Sequence, residues 1–229
     1  MAKNMKTILK TLVGSRAHGL NREDSDFDWR GVFIEPTSEI LKLNSSARDT
    51  SWVEGKEDDT QYELGRFLYL ATKCNPAILE VMCSPVKEDE TTELGMELRS
   101  LFPVIWEPKR VMDAFMGYSK NQEKKFMDRH DDRVQKYSVE DVRALWQCKV
   151  LLETGELKIL VDDEELRKKL LKWKNAKEVT PEMVGEVTTM ASHYRNLVEG
   201  AYDRFPDKDK KCDMESVNSF LLKVRKDNW

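Results

Sequence analysis

Gly14-Ser15-Arg16-Ala17-His18-Gly19-Leu20-Asn21-Arg22-Glu23-Asp24-Ser25-Asp26-Phe27-Asp28-Trp29-Arg30-Gly31-Val32-Phe33 is the stretch that decides the reading of the chain. It comprises a turn bearing Gly-Ser, a polar connection, and a strand-like run with two carboxylates one residue apart. Side chains i and i+2 of a strand leave by the same face. Asp26 and Asp28 are therefore expected side by side on one strand running to Ile34, with Phe27 and Trp29 turned towards apolar packing. Two carboxylates held that close repel each other unless a cation lies between them. Hard oxygen donors on one short segment suit Mg²⁺, which takes one or two carboxylates and fills its shell with phosphate oxygens and water. Gly14 and Ser15 supply the complement. A glycine lets backbone approach a phosphate, backbone N–H groups line the cradle, and a hydroxyl adds a donor. The stretch describes a site for a metal-bound nucleoside triphosphate.

Gly-Ser, a spacer of ten residues, then Asp-Phe-Asp is similar to the motif of the DNA polymerase β-like nucleotidyltransferase superfamily. The longer string, through Trp29-Arg30-Gly31-Val32-Phe33, resembles one branch of it, the RNA-repair-pathway (RlaP-type) nucleotidyltransferases, several of them from phages. A second block carries the same resemblance: an acid, Tyr62-Glu63-Leu64, a basic residue, and then Asn75-Pro76 with Leu79-Glu80. Leu152-Glu153-Thr154-Gly155-Glu156-Leu157 looks like the family as well. Family members tend to carry Lys where this chain has Arg66, a departure that keeps the charge and changes its geometry.

The resemblance implies an α/β nucleotidyltransferase domain with a small mixed sheet, followed by an α-helical C-terminal domain, with the substrate cleft between them. It implies a template-independent transfer of a nucleoside monophosphate from an NTP, an acceptor hydroxyl attacking the α-phosphorus in line. Asp26 and Asp28 would hold two Mg²⁺ ions, with Mn²⁺ able to substitute. A third carboxylate from a neighbouring strand, Asp58, would complete the metal site and accept the hydroxyl proton; Asp59 and then Glu63 are the alternatives. Gly14, Ser15, Arg16 and Arg66 would contact the nucleotide. The implied acceptor is an RNA or tRNA end. A protein or small-molecule acceptor, as in toxin–antitoxin and antibiotic-modifying members, is an alternative, and so is a silent nucleotide binder.

A length of 229 residues suits one to two domains with a sizeable core. The formal net charge is −4, so no basic field covers the whole chain and any nucleic-acid contact has to be local. The four cysteines are widely spaced, without a CxxC pair, and read as reduced thiols of a cytoplasmic protein. The basic N-terminus is not followed by an apolar core of signal-peptide length, and no run approaches the roughly 20 apolar residues of a membrane span.

Along the chain, Met5 to Val13 reads as a strand running into Gly14, and Arg16 to Leu20 as a first helical turn aimed at phosphates. Asn21 to Ser25 is turn material. Residues 44–56 read as a loop. Leu64, Phe67, Leu68 and Ala71 keep helical spacing, and Asn75-Pro76 stops that helix. Ile78 to Met82 suits a strand or short helix. Glu107-Pro108 marks a boundary between domains at 1–107 and 108–229. Beyond it the periodicity predicts helices from Val111 to about Arg129, Val139 to Leu152, Asp162 to Trp173, Pro181 to Phe205 and Met214 to Arg225. Ser138 opens the second of these and Gly155 ends it, while Pro181 takes a first helical position. His18 reads as structural. The charges from Lys120 to Lys136 read as a solvated helix face, interrupted by Asp128, Asp131 and Asp132, with an RNA-contacting surface as the alternative. Trp173, at helical spacing from Leu166 and Leu170, reads as core, although its basic surroundings would also suit stacking on a base.

Overall fold

The computed structural model describes residues 6–43, 50–52, 59–128, 131 and 133–229, which form two compact units. Residues up to Trp106 together with Lys211–Trp229 make the first, and Glu107–Lys210 the second.

The first unit is built on strand β1 (Lys6–Val13), the one-turn helix α1 (Gly14–Ala17), strand β2 (Asp28–Ile34) and the one-turn helix α2 (Thr37–Ile40). Strands β3 (Thr50–Trp52) and β4 (Asp59–Glu63) follow, then helices α3 (Leu64–Thr72), α4 (Pro76–Cys83), α5 (Glu93–Ser100) and α6 (Phe102–Ile105). The four strands form one mixed sheet in the order β1-β2-β4-β3. β2 is antiparallel to β1 and parallel to β4, and β3 is antiparallel to β4. Ile8 and Leu9 of β1 and Val32 and Phe33 of β2 are buried with Leu64, Phe67, Ile78, Leu79 and Leu98 of the helices. Each such side chain contributes about 1.5–3 kcal/mol through removal from water.

Local chemistry explains the joints. Glu63 ends β4 and its carboxylate accepts the Gly65 N–H at 2.7 Å, capping α3. Asn75 does the same for α4, with Pro76 in the first turn, so this pair starts one helix as well as ending another. Ile78 to Met82 is helical, and β3 lies inside the stretch read as a loop.

In the second unit, α7 (Pro108–Asp128), α8 (Val134–Thr154), α9 (Glu164–Lys174) and α10 (Pro181–Arg204) pack around α8, which contacts the other three. Gly155 stands at φ +77°, the left-handed position where glycine ends a helix without a Cβ penalty, and its N–H reaches the Leu151 carbonyl. α8 starts at Val134, four residues before the expected Ser138. The reason is visible in its burial: Ser138 and Asp141 are fully buried and held from inside. Asp141 accepts from the Ser119 hydroxyl and the Arg195 guanidinium, and Arg195 continues to Glu123 at 2.9 Å. Arg143 donates to Gln147 at 2.8 Å, whose amide donates to the Lys158 carbonyl at 3.0 Å. A helix buried on every side ordinarily needs apolar residues all round; here a polar network takes that place. Trp173 is 1 % exposed and donates its indole N–H to Glu186, a core position as expected.

Helix α11 (Met214–Asp227) belongs to the first unit, which corrects the expected division at 108–229. The Asp213 N–H donates to the Val104 carbonyl at 2.9 Å. Arg225 pairs with Glu63 at 2.7 Å, its carbonyl accepts the Thr37 hydroxyl, and Lys223 meets Glu97. Among the described residues, no helix is long and apolar enough to cross a membrane.

Candidate active site

β1 runs to Val13, paired with Asp28, and there the backbone turns sharply at Gly14 with φ +69°. A Cβ at Gly14 would lie 2.2 Å from the Asp28 Oδ2, so only glycine seats the turn against this carboxylate. α1 starts at Gly14, two residues before the expected turn, and Leu20 N–H closes back onto the Ser15 carbonyl at 2.9 Å. Ala17, His18 and Leu20 are buried beneath it. His18 Nε2 lies 3.9 Å from Glu80 of α4, in the structural position expected of it.

Asp28 is half-buried as the first residue of β2; Asp26 is exposed and precedes the strand. The expectation of both acids on one strand is corrected in this respect. On the β1 side the ladder ends at the Val13–Asp28 pair, where the backbone turns at Gly14, and among the described residues none pairs with 26 or 27. Phe27 and Trp29 are not in the core either. Phe27 is 42 % exposed, and the two rings lie parallel within 10° at 6.4 Å. Three cations flank them, with Arg16 4.0 Å from the Phe27 ring, Lys87 5.3 Å and Lys10 5.9 Å from that of Trp29.

Arg16 is further held by backbone. Its Nε and Nη2 donate to the Ser25 carbonyl at 2.9 and 2.6 Å, and Nη2 to the Glu23 carbonyl at 3.2 Å. Arg66 is exposed on α3 with its guanidinium 5.7 Å from the Tyr69 ring.

The parallel register sets Trp29 opposite Asp59, so Asp59 leaves the sheet by the Trp29 face and not by that of Asp28. Its Oδ2 meets Lys10 Nζ at 2.8 Å, with both side chains 10 % exposed. Burial pulls the Lys10 pKa down, but its bonds to Asp59 and Glu90 outweigh this and raise it, so the ammonium stays charged. Glu63 is committed to capping α3 and to Arg225. Asp58 lies outside the described residues. Lys10 and Arg225 are the partners that sequence reading missed. Lys10 carried a weak signal, a charge inside an apolar strand, and Arg225 carried none.

The donor set suits a divalent cation: two hard carboxylates, and beside one of them a backbone cradle that a Cβ would fill. Among the described residues, no three His, Cys, Asp or Glu side chains gather into a complete ligand set.

A small mixed sheet with a Gly-Ser turn set against acids at a strand start is the arrangement of a polymerase β-like nucleotidyltransferase domain. The sequence matches the RNA repair pathway DNA polymerase beta family (RlaP) over residues 1–223, and the chain belongs to that family. It is 27 % identical over 136 residues to an uncharacterized 38.9 kDa protein of Enterobacteria phage T4, covering 53 % of this chain and 39 % of that protein. It is 25 % identical over 135 residues to the uncharacterized protein YcgL of Bacillus subtilis, covering 58 % of this chain and 52 % of that protein. The matched regions therefore span between about two fifths and half of these relatives.

Proposed function

We propose that the chain is a metal-dependent, template-independent nucleotidyltransferase that moves a nucleoside monophosphate from an NTP to an acceptor hydroxyl on RNA, a tRNA end included. The observation that carries this reading is the seating of the Gly14 backbone against the Asp28 carboxylate, which brings a phosphate-type cradle and a metal-type acid into one site. Membership of an RNA repair family supports the acceptor class.

Asp26 and Asp28 would hold Mg²⁺, with Asp58 as the third acid. The bound ions would neutralise charge on the triphosphate and on the attacking and leaving oxygens. Gly14 and Ser15 would orient the β- and γ-phosphates through backbone N–H groups and the hydroxyl. Asp58 would accept the proton of the attacking hydroxyl. The acceptor oxygen would form its bond to the α-phosphorus as the bond to the bridging oxygen breaks and pyrophosphate departs. Most of the acceleration would come from positioning and charge stabilisation.

The test supplies purified protein with Mg²⁺ or Mn²⁺, each α-labelled NTP in turn, and total RNA or a protein extract. We expect label on RNA, lost in Asp26→Asn/Asp28→Asn. Label on protein alone would replace the acceptor class. Nucleotide binding without metal-dependent transfer to either acceptor would overturn the enzymatic reading.

A further inference from the structure

We propose that Arg16 is a positioning residue for the metal acids, fixing Asp26 through the backbone of residues 23–27. The proposal rests on the reading above that Asp26 and Asp28 hold the metal.

The two acids are supported differently. Asp28 is carried by the ladder, paired with Val13. Asp26 stands two residues outside it, exposed, and among the described residues no strand pairs with it. What holds its segment is the Arg16 side chain. Three N–H···O bonds tie the guanidinium to the Glu23 and Ser25 carbonyls, and the Phe27 ring lies against it at 4.0 Å. Asp26 thus sits between two residues that Arg16 grips. Arg22 and Ser25 close the same turn from within, by Arg22 N–H to the Ser25 hydroxyl at 2.8 Å and Ser25 N–H to the Arg22 carbonyl at 3.2 Å.

Arg16 is itself well anchored. It follows Ser15 in the one-turn helix α1, above buried Ala17, His18 and Leu20. One side chain therefore couples the phosphate-type turn to the acid segment. Lysine cannot do the same, because a single ammonium lacks the planar fork and the flat face for a ring. Groups that orient metal ligands typically change metal affinity 10–100-fold when replaced.

The experiment compares wild type, Arg16→Lys, Phe27→Ala and Asp26→Asn/Asp28→Asn by three readouts. These are Mn²⁺ affinity without nucleotide, hydrogen exchange of residues 21–28, and ATP affinity in EDTA. Arg16→Lys is expected to weaken Mn²⁺ binding about 10-fold or more and to speed exchange in that segment, with ATP affinity in EDTA unchanged. Phe27→Ala, which keeps the three Arg16 hydrogen bonds and removes the ring from between Arg16 and Trp29, should weaken Mn²⁺ binding about 3-fold. Mn²⁺ binding that is lost in the double variant but intact in Arg16→Lys would overturn the proposal alone; weakened ATP binding there would mark Arg16 as a direct phosphate contact. Mn²⁺ binding that survives the double variant would instead overturn the metal reading on which the proposal rests.

Discussion

Asp59 and its neighbour Asp58 have the same chemistry, and Asp59 already has a partner. Asp59 faces the Trp29 side, nearly buried against Lys10. Replacing it by Asn leaves the Lys10 ammonium with Glu90 alone, and removing one partner of a buried pair is costly. We expect Asp59→Asn to lose about 2 kcal/mol in urea unfolding while Mn²⁺ binding is kept. Asp58→Asn should do the opposite, abolishing nucleotide transfer at little cost in stability. Asp141 makes a second residue-scale case. Burial pushes its carboxyl up from 3.8 to about 6, against the Ser119 hydroxyl and the Arg195 guanidinium, with Glu123 adding to the rise. A raised folded-state pKa means that the folded protein holds the proton more tightly than the unfolded chain does. The resulting stability is complete below about pH 4 and is lost as pH rises through 6. In Asp141→Asn that dependence disappears. Its stability relative to wild type should therefore climb between pH 4 and pH 7, by at most about 3 kcal/mol, read from urea midpoints at the two pH values.

Elements differ in how much of themselves they write into sequence. Thr180-Pro181, Asp163 and Gly155 are local signals, and the helix ends near them match the periodicity within about two residues. Strand β2 was legible in type but not in extent, because its start depends on where β1 stops, which the residues 26–28 do not encode. β3 has three residues and no period to detect. The beginning of α8 was misread because Ser138 and Asp141 are typical of helix starts in water, and only the other helices of the bundle make them interior. Helix α11 was found, but not its destination, since an amphipathic stripe says that a helix packs and not where. Its attachment is specific: Arg225 bonds Glu63, and Glu63 caps α3. Arg225→Ala should therefore destabilise the sheet-bearing unit by about 2–3 kcal/mol. Hydrogen exchange is expected to show the loss in β4 and α3, with the helices of residues 107–210 protected as before.

At the scale of the molecule, the unit that holds the acids is interrupted, and the other is inserted into it. The points of departure and return are neighbours, with Val104 bonded to Asp213. On the ribosome this order has a consequence in time. The Gly-Ser turn, both acids and the whole sheet emerge early, then roughly a hundred residues of helical bundle, and only afterwards the segment that carries Arg225. At about 5–20 residues per second, β4 and α3 spend several seconds or more without their closing helix. A nascent chain thus carries the acids and the cradle before it has the clasp that secures their sheet. The fold itself sets the closing of that unit after the bundle has emerged.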